Sequence, residues 1–408
     1  METTIQDITG ECGGRVIAVS DVHGHGHYLK GLLEAVSFSR QDTLVIVGDI
    51  IEKGGDSLAT VRYCMGLQRR GYHIYMSAGN VDTSRLGSFF DRSEGHGRRF
   101  AEELAWTKKV WKCGLFLEIL KELGISPDQV HEENAGEIKD RIAETYREEL
   151  GFLTGRPVII TCGNYIFVHA GIPTDDLETL KGKDGFQFLK TDAFFTQGYS
   201  FRRCVVVGHW PVSLYRKDTD CMNPVFDYER HVATIDGGCG LKKGCQLNAL
   251  LIPHPFAAME EVGIAVYDDY PAVRAKTAQK AEAATIRVRY FDAEVELFSR
   301  EEEKSAGGQA WAKPQCLTGQ GQDGKKAEYR QSIAAVQHKR SGIVFHVPEG
   351  YLYRRDEKLF CSDFTNAALQ VEAGETIKLI AWTDAGAVVK KDGVIGWYFG
   401  DFDFPYSV

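Results

Sequence analysis

Aspartate, histidine and asparagine recur in this chain directly after short apolar runs. Val16-Ile17-Ala18-Val19 leads into Asp21-Val22-His23-Gly24, and Thr43-Leu44-Val45-Ile46-Val47 leads into Gly48-Asp49. His73-Ile74-Tyr75-Met76 precedes Gly79-Asn80, Ile166-Phe167-Val168 precedes His169-Ala170-Gly171, and Cys204-Val205-Val206-Val207 precedes Gly208-His209. Short runs of this kind, rich in β-branched residues, read as buried strands. Loops at the carboxyl ends of strands converge on one crevice in α/β architectures. The pattern therefore predicts that Asp21, His23, Asp49, Asn80, His169 and His209 meet in one place. Carboxylate, imidazole and amide oxygen together suit Mn²⁺, Fe or Zn²⁺ better than a soft thiolate site. The neighbouring glycines let the backbone turn sharply and approach a metal or a phosphate closely.

The elements that must position these groups follow from periodicity. Leu29, Leu32, Leu33 and Val36 mark one face of a helix between the first two strands, and a second helical stretch carries Leu58, Val61 and Met65. Residues 84–154 read as a helical insertion: one long helix from Arg98 to Leu123, then a stripe of Ile138, Ile142, Tyr146 and Leu150. Strand patterns return between Val158 and Ile252 with few helices, so an α+β two-sheet sandwich fits better than a doubly wound sheet. The Ala- and Lys-rich stretch from Ala272 to Ala284 is expected to be helical, and residues 307–326 an exposed loop. The expected domains are 1–265, a junction over 266–335, and a small all-β domain over 336–408.

Composition narrows the function classes. With 43% hydrophobic and 26% charged residues, the chain has an ordinary globular balance. A net charge of −9 and the absence of a dense Lys/Arg block argue against nucleic acid as a partner. No apolar run approaches the ~20 residues that span a bilayer, so no membrane partner is expected. The start, Met1 to Asp7, has neither a positive segment nor an apolar one and does not read as a signal peptide. The ten cysteines form no C-x-x-C pair, and reduced thiols in a cytoplasmic protein are the simplest reading.

The ordered set D-x-H-G, G-D-x-x-x-x-G, G-N, V-H-A-G and G-H-x-P, formed around Asp21, Asp49, Asn80, His169 and His209, resembles the calcineurin-like metallophosphoesterase superfamily. Ile235-Asp236-Gly237-Gly238 resembles its phosphoprotein phosphatase branch, which includes bacterial Ser/Thr phosphatases and symmetrical diadenosine tetraphosphate hydrolases. The resemblance covers residues 15 to about 255. It implies a four-layer α/β/β/α sandwich and two divalent ions, with Mn expected first and Fe or Zn as alternatives. Asp21 and His23 would hold the first ion, Asp49 would bridge, and Asn80, His169 and His209 would complete the second. Two such ions polarise a phosphoryl group and deprotonate a bridging water for in-line attack. The implied activity is hydrolysis of a phosphomonoester, a phosphoserine or phosphothreonine protein among them, with nucleoside polyphosphate hydrolysis as the alternative.

The chain departs from that pattern on one side. The family writes G-N-H-E where this chain has Gly79-Asn80-Val81-Asp82, so the histidine assigned to leaving-group protonation is a valine. General acid catalysis is worth about 10²–10⁴-fold. Glu52 stands where the histidine's aspartate partner is usual, and Lys53 where a phosphate-clamping arginine is usual. Lysine keeps the charge without the bidentate fork. A second family arginine has no clear match; Lys190, Arg202 and Arg203 are the candidates for phosphate contact. His25, with His27, could substitute for the missing acid, although exposed loop histidines are the weightier reading. A very slow or non-catalytic module that binds metal and phosphate is the competing expectation. The C-terminal segment, through Gly374-Glu375-Thr376, Lys391-Asp392-Gly393 and Gly396-Trp397-Tyr398, resembles a Src-homology-3-like barrel and leaves room for a homo-oligomer formed through it.

Overall fold

The structure is a computed structural model that describes residues 1–298 and 329–404. The loop expected over 307–326 lies outside the described residues. The chain divides into two units. The first holds Met1–Tyr215, Asn223–Leu241 and Cys245–Asp268; the second holds Arg216–Met222, Lys242–Gly244 and the described residues from Asp269 onward.

Strands along the first part of the chain are β1 (Ile5–Asp7), β2 (Val16–Val19), β3 (Thr43–Val47), β4 (His73–Ser77), β5 (Ile159–Cys162), β6 (Tyr165–Val168), β7 (Cys204–Val207), β8 (Asp220–Cys221), β9 (Val225–Asp227), β10 (Val232–Thr234), β11 (Leu247–Ile252) and β12 (Gly263–Tyr267). The first unit contains two mixed sheets, ordered β1-β5-β6-β7-β10-β9 and β12-β11-β2-β3-β4. In the second of these, β2, β3 and β4 run parallel, with Val16 opposite Thr43 and Thr43 opposite His73. Side chains alternate between faces of a strand. Val16, Ala18, Val45 and Val47 therefore share a core with Ile160, Tyr165, Phe167 and Val206 of the other sheet. Ile17, Val19, Leu44 and Ile46 face helices instead. Both faces of these strands are apolar, which explains the unbroken runs in the sequence.

Seven helices lie in the first unit: α1 (Gly26–Ala35), α2 (Ser57–Arg69), α3 (Asn80–Phe90), α4 (His96–Val110), α5 (Leu115–Glu122), α6 (Ala135–Thr145) and α7 (Arg147–Leu153). The long helix expected from Arg98 to Leu123 is two helices. Lys112 at φ 63° and Gly114 at φ 154° break it, and the turn frees the Leu115 amide for a bond outside the helix. The outer face of the β6–β7 sheet is covered by three short 3₁₀ segments, Leu177–Leu180, Gly185–Phe188 and Phe194–Thr196, where the expected sandwich has helices. Left-handed residues at Gly182, Ala193 and Gly198 interrupt this stretch, so no long helix can form.

The second unit is β-rich. One six-stranded sheet is ordered Phe402–Asp403, Ala272–Ala275, Thr376–Thr383, Gly386–Lys391, Val394–Tyr398 and Asp220–Cys221. The others have five strands and two. These are open sheets; no closed barrel forms among the described residues, since each large sheet ends on unpaired edges. The helix expected from Ala272 is a strand. Val273 and Ala275 are buried while Arg274 is exposed, and Val273 pairs with Ile377. Ladder pairing overrides the helix propensity of alanine. Among the described residues no helix is long and apolar enough to cross a membrane.

Candidate functional site

The strand-end loops of the first unit are stitched to one another through their backbones. After β2 and β3, the amide of Asp21 donates to the Gly48 carbonyl at 3.2 Å, His23 to that of Asp49 at 3.0 Å, and Gly24 to that of Ile50 at 2.8 Å. Asp21, His23, Asp49, Glu52, Lys53 and His209 all have positive φ, between 45° and 69°. Left-handed backbone is unfavourable for residues with a Cβ and collects where surrounding structure enforces it. Gly79 is demanded for a different reason: a Cβ there would collide with the Asp49 carboxylate.

Several of these side chains come together at the strand ends. One donor atom from each of Asp21, Asp49 and His169 lies within 4.8 Å of the others, and all three residues are buried. His169 Nε2 is 3.4 Å from Asp49 Oδ2, and its Nδ1 is 3.0 Å from the Val47 carbonyl, which fixes the ring. His23 Nε2 lies 3.7 Å from Asp21 Oδ1 and 3.6 Å from Asp49 Oδ2. His209 donates its backbone amide to Asp21 Oδ2 at 2.9 Å, and its ring packs edge-on to His169 at 5.2 Å. One terminal atom of the Asn80 amide sits 3.0 Å from His169 Nε2 and 2.9 Å from His209 Nδ1. Asn80 opens α3, and the next amide, Val81 N–H, donates to Asp49 Oδ1 at 2.9 Å. That places a helix amino terminus, with its partial positive charge, on the central carboxylate.

Electrostatics at the centre is dominated by mutual neutralisation. Burial pushes the Asp49 carboxyl up, but His169 with its hydrogen bond, His23 and Lys53 outweigh it and hold Asp49 well below the usual carboxylate range. Burial lowers His169, while Asp49 and Asp21 raise it further, to about 10. Asp21 is pushed up to about 6 by burial. A divalent ion would take the place of the His169 proton, since metal ligands must be deprotonated. The donor chemistry, two carboxylates, imidazole and amide around one buried point, fits such an ion.

The remaining sequence candidates are placed unevenly. Lys53 Nζ is 2.8 Å from His23 Nε2. Glu52 turns toward the helical insertion: its Oε1 accepts from the Leu115 amide at 2.9 Å, and Arg85 Nε is 3.7 Å from Oε2. Burial pushes Glu52 up to about 7. His25 has its Nδ1 2.8 Å from the His23 carbonyl and its ring against His27 and Tyr28. Lys190 Nζ lies 3.6 Å from Asp192 Oδ1, the same atom that His209 Nε2 approaches at 3.0 Å. Arg202 and Arg203 both engage Asp175, Arg202 by its Nε at 3.5 Å and Arg203 by donating to the carbonyl at 3.4 Å.

Three residues near this site carry roles that motif spacing did not reveal. Asp192 orients His209, yet it lies in an irregular stretch with no fixed offset from any motif. Asp82 accepts from the amides of Ile50 at 3.1 Å and Ile51 at 3.2 Å, tying the Asp49 loop to α3; its place in Gly79-Asn80-Val81-Asp82 was the available signal. Arg85 is flanked by Glu52, Glu103 and the rings of Trp106 at 5.4 Å and Trp111 at 4.7 Å.

The family model described as calcineurin-like phosphoesterase matches residues 14–231, more than half of the chain. A protein of Proteus mirabilis (strain HI4320) named bis(5'-nucleosyl)-tetraphosphatase, symmetrical, is 39% identical over 72 residues, 17% of this chain and 25% of its own length. A protein of that name from Buchnera aphidicola subsp. Acyrthosiphon pisum (strain Tuc7) is 30% identical over 142 residues, 31% of this chain and 51% of its own. The chain thus spans between a quarter and half of the length of these curated relatives. Among solved structures, a protein serine/threonine phosphatase from Saccharomyces cerevisiae aligns at 12% identity over 65% of this chain and 84% of its own, with a TM-score of 0.38. A metallophosphoesterase from Sphaerobacter thermophilus aligns at 16% identity over 62% of this chain and 88% of its own, with a TM-score of 0.30.

Proposed function

The chain belongs to the calcineurin-like phosphoesterase family, and from that premise we propose that it is a metal-dependent hydrolase of phosphoesters acting within residues 1–265. The observation that carries this reading is the buried convergence of Asp21, Asp49 and His169, with donor atoms within 4.8 Å. In this reading Asp21, Asp49, Asn80, His169 and His209 hold divalent metal, Mn first among the candidates, with His23 beside them. Bound metal supplies Lewis-acid polarisation of a phosphoryl group and a nucleophile available at neutral pH. The chain's own residues do the positioning. Val47 holds the His169 ring with Nε2 toward Asp49, and Val81 N–H holds the Asp49 carboxylate. Asp192 holds His209 and keeps Lys190 beside it, where the ammonium can meet a phosphate. Arg202 and Arg203 are assigned to the outer rim of the substrate, on the Asp175 loop.

A phosphomonoester, including a phosphoserine or phosphothreonine protein, is the proposed substrate class, in a cytoplasmic setting. A nucleoside polyphosphate is the second reading, favoured by the activity named for the matched relatives. The non-catalytic alternative draws on Val81 and on the engagement of Glu52 with Leu115, which leave no acid at the usual leaving-group position. Hydrolysis of p-nitrophenyl phosphate with added Mn²⁺, compared between the native chain and Asp49→Asn, decides between them. This substrate has a good leaving group and needs an acid least. Turnover that depends on Mn²⁺ and is lost in Asp49→Asn is expected. A folded, metal-loaded native chain without turnover would overturn the hydrolase reading.

A further inference from the structure

His23 presents a single ring nitrogen to the site, and Lys53 already occupies it. His23 Nδ1 lies 3.0 Å from the Ile51 carbonyl. A carbonyl only accepts, so Nδ1 carries the proton and Nε2 offers its lone pair. Lys53 Nζ, which only donates, sits 2.8 Å from that Nε2. The hydrogen bond therefore uses the lone pair that a metal ion would need. The lysine is held in this position from several directions. Its backbone is left-handed at φ 62°, as is that of Glu52 before it at φ 69°. Its ammonium lies 5.9 Å from the centre of the Trp111 ring, within cation–π range. Gly240 packs so closely on the lysine stem that a Cβ there would come within 2.8 Å of Lys53 Cβ.

The position is also electrostatically apt. His23 Nε2 lies 3.7 Å from Asp21 Oδ1 and 3.6 Å from Asp49 Oδ2, so the ammonium bound to that nitrogen adds positive charge to the surroundings of the buried Asp49 carboxylate. Asp21, Asp49 and His169 bring their donor atoms within 4.8 Å of one another, and His23 approaches the same two carboxylates with the nitrogen that Lys53 holds. We propose that Lys53 is a built-in cation on the His23 side of the site, so that the chain binds one divalent ion firmly, at Asp21, Asp49 and His169, and a second only by displacing the lysine. This rests on the metal-site reading above and refines it: Lys53 is a positioning residue, a counter-charge to Asp21 and Asp49, and not a free phosphate clamp. A dication beside a fixed ammonium meets Coulomb repulsion that protein surroundings screen less than bulk water does.

Mn²⁺ titration of the metal-stripped full-length chain tests this, read by metal analysis after desalting and by electron paramagnetic resonance. The expected result is one retained Mn²⁺ with a mononuclear signal for the native chain. For Lys53→Met the expected result is two retained ions, a spin-coupled pair signal, and second-site affinity raised about 100-fold. Lys53→Gln, which keeps length and polarity but not charge, gives the same outcome should the methionine variant fail to fold. Two tightly held, coupled ions in the native chain would overturn the inference while leaving the metal-site reading standing. A single ion in native and variant chains alike would also overturn it. No retained ion in any chain would overturn the metal-site reading itself.

Discussion

The two sides of Asp49 are built from the same material, polar residues at strand ends with left-handed turns among them, and they solve different problems. On the His169 side, donor atoms of Asp21, Asp49 and His169 converge with the Asn80 amide and the His209 ring close by; the Val47 carbonyl and the His209 and Val81 amides fix their orientation, and His169 Nε2 faces Asp49 and Asn80 within the same cluster. On the Glu52 side, the polar groups are matched to one another: Lys53 to His23, Glu52 to the Leu115 amide, Arg85 to Glu103 and the tryptophans. Donors that converge on one point can take up an ion between them. Groups engaged with separate partners hold structure. The comparison teaches that polar side chains of the same type divide between binding and scaffolding according to whether they converge on one point or engage separate partners.

Substitutions can break this contrast, and the largest effect is expected on the open side. Asp49→Asn should reduce Mn²⁺-dependent hydrolysis to background and abolish ion retention, with the circular dichroism spectrum unchanged. Val81→His should sharpen the contrast from the closed side by returning an acid to the leaving-group position. A gain of about 10²-fold toward a phosphomonoester with a poor leaving group, and little toward p-nitrophenyl phosphate, is the expected pattern; equal gains for both would remove the acid explanation. Asp192→Asn should weaken Mn²⁺ affinity by about 10–100-fold, since it acts through the orientation of His209, and calorimetric titration would measure it.

The smallest effect concerns pH. Glu52 in the folded chain is raised by burial from 4.5 to about 7. Between those values the folded state binds the proton and the unfolded state does not, so stability falls as pH rises from about 4.5 to about 7. Glu52→Gln should flatten that part of the profile in thermal melts, where each kcal/mol moves the midpoint by about 2–4 °C. An unchanged slope would show that Glu52 does not titrate in that window.

Much of the open side was legible in the sequence because strands and motifs share a fixed phase. Asp21, Asp49, Asn80, His169 and His209 each follow a strand by one to three residues, so recognising the strand places the side chain. The closed side was not legible in this way. Glu52 and Lys53 lie in a turn whose positive φ values aim their side chains apart, one at the insertion and one at His23, and no periodicity encodes that. Asp192 meets His209 only through the path of a 3₁₀-interrupted loop. The same limit applies farther along the chain, where the alanines and lysines near Ala272 propose a helix and the pairing of Val273 with Ile377 makes a strand.

The left-handed turns have a consequence for anyone selecting hardier versions of this protein. Glycine would relax the backbone at Asp21, Asp49 or His209, and at each of them it would remove a side chain that the proposed metal site uses. Screens that reward heat tolerance alone should therefore accumulate glycine at these positions and return resilient, chemically silent chains. The turns act as a ledger of which residues are kept for their chemistry against the preference of the chain that carries them.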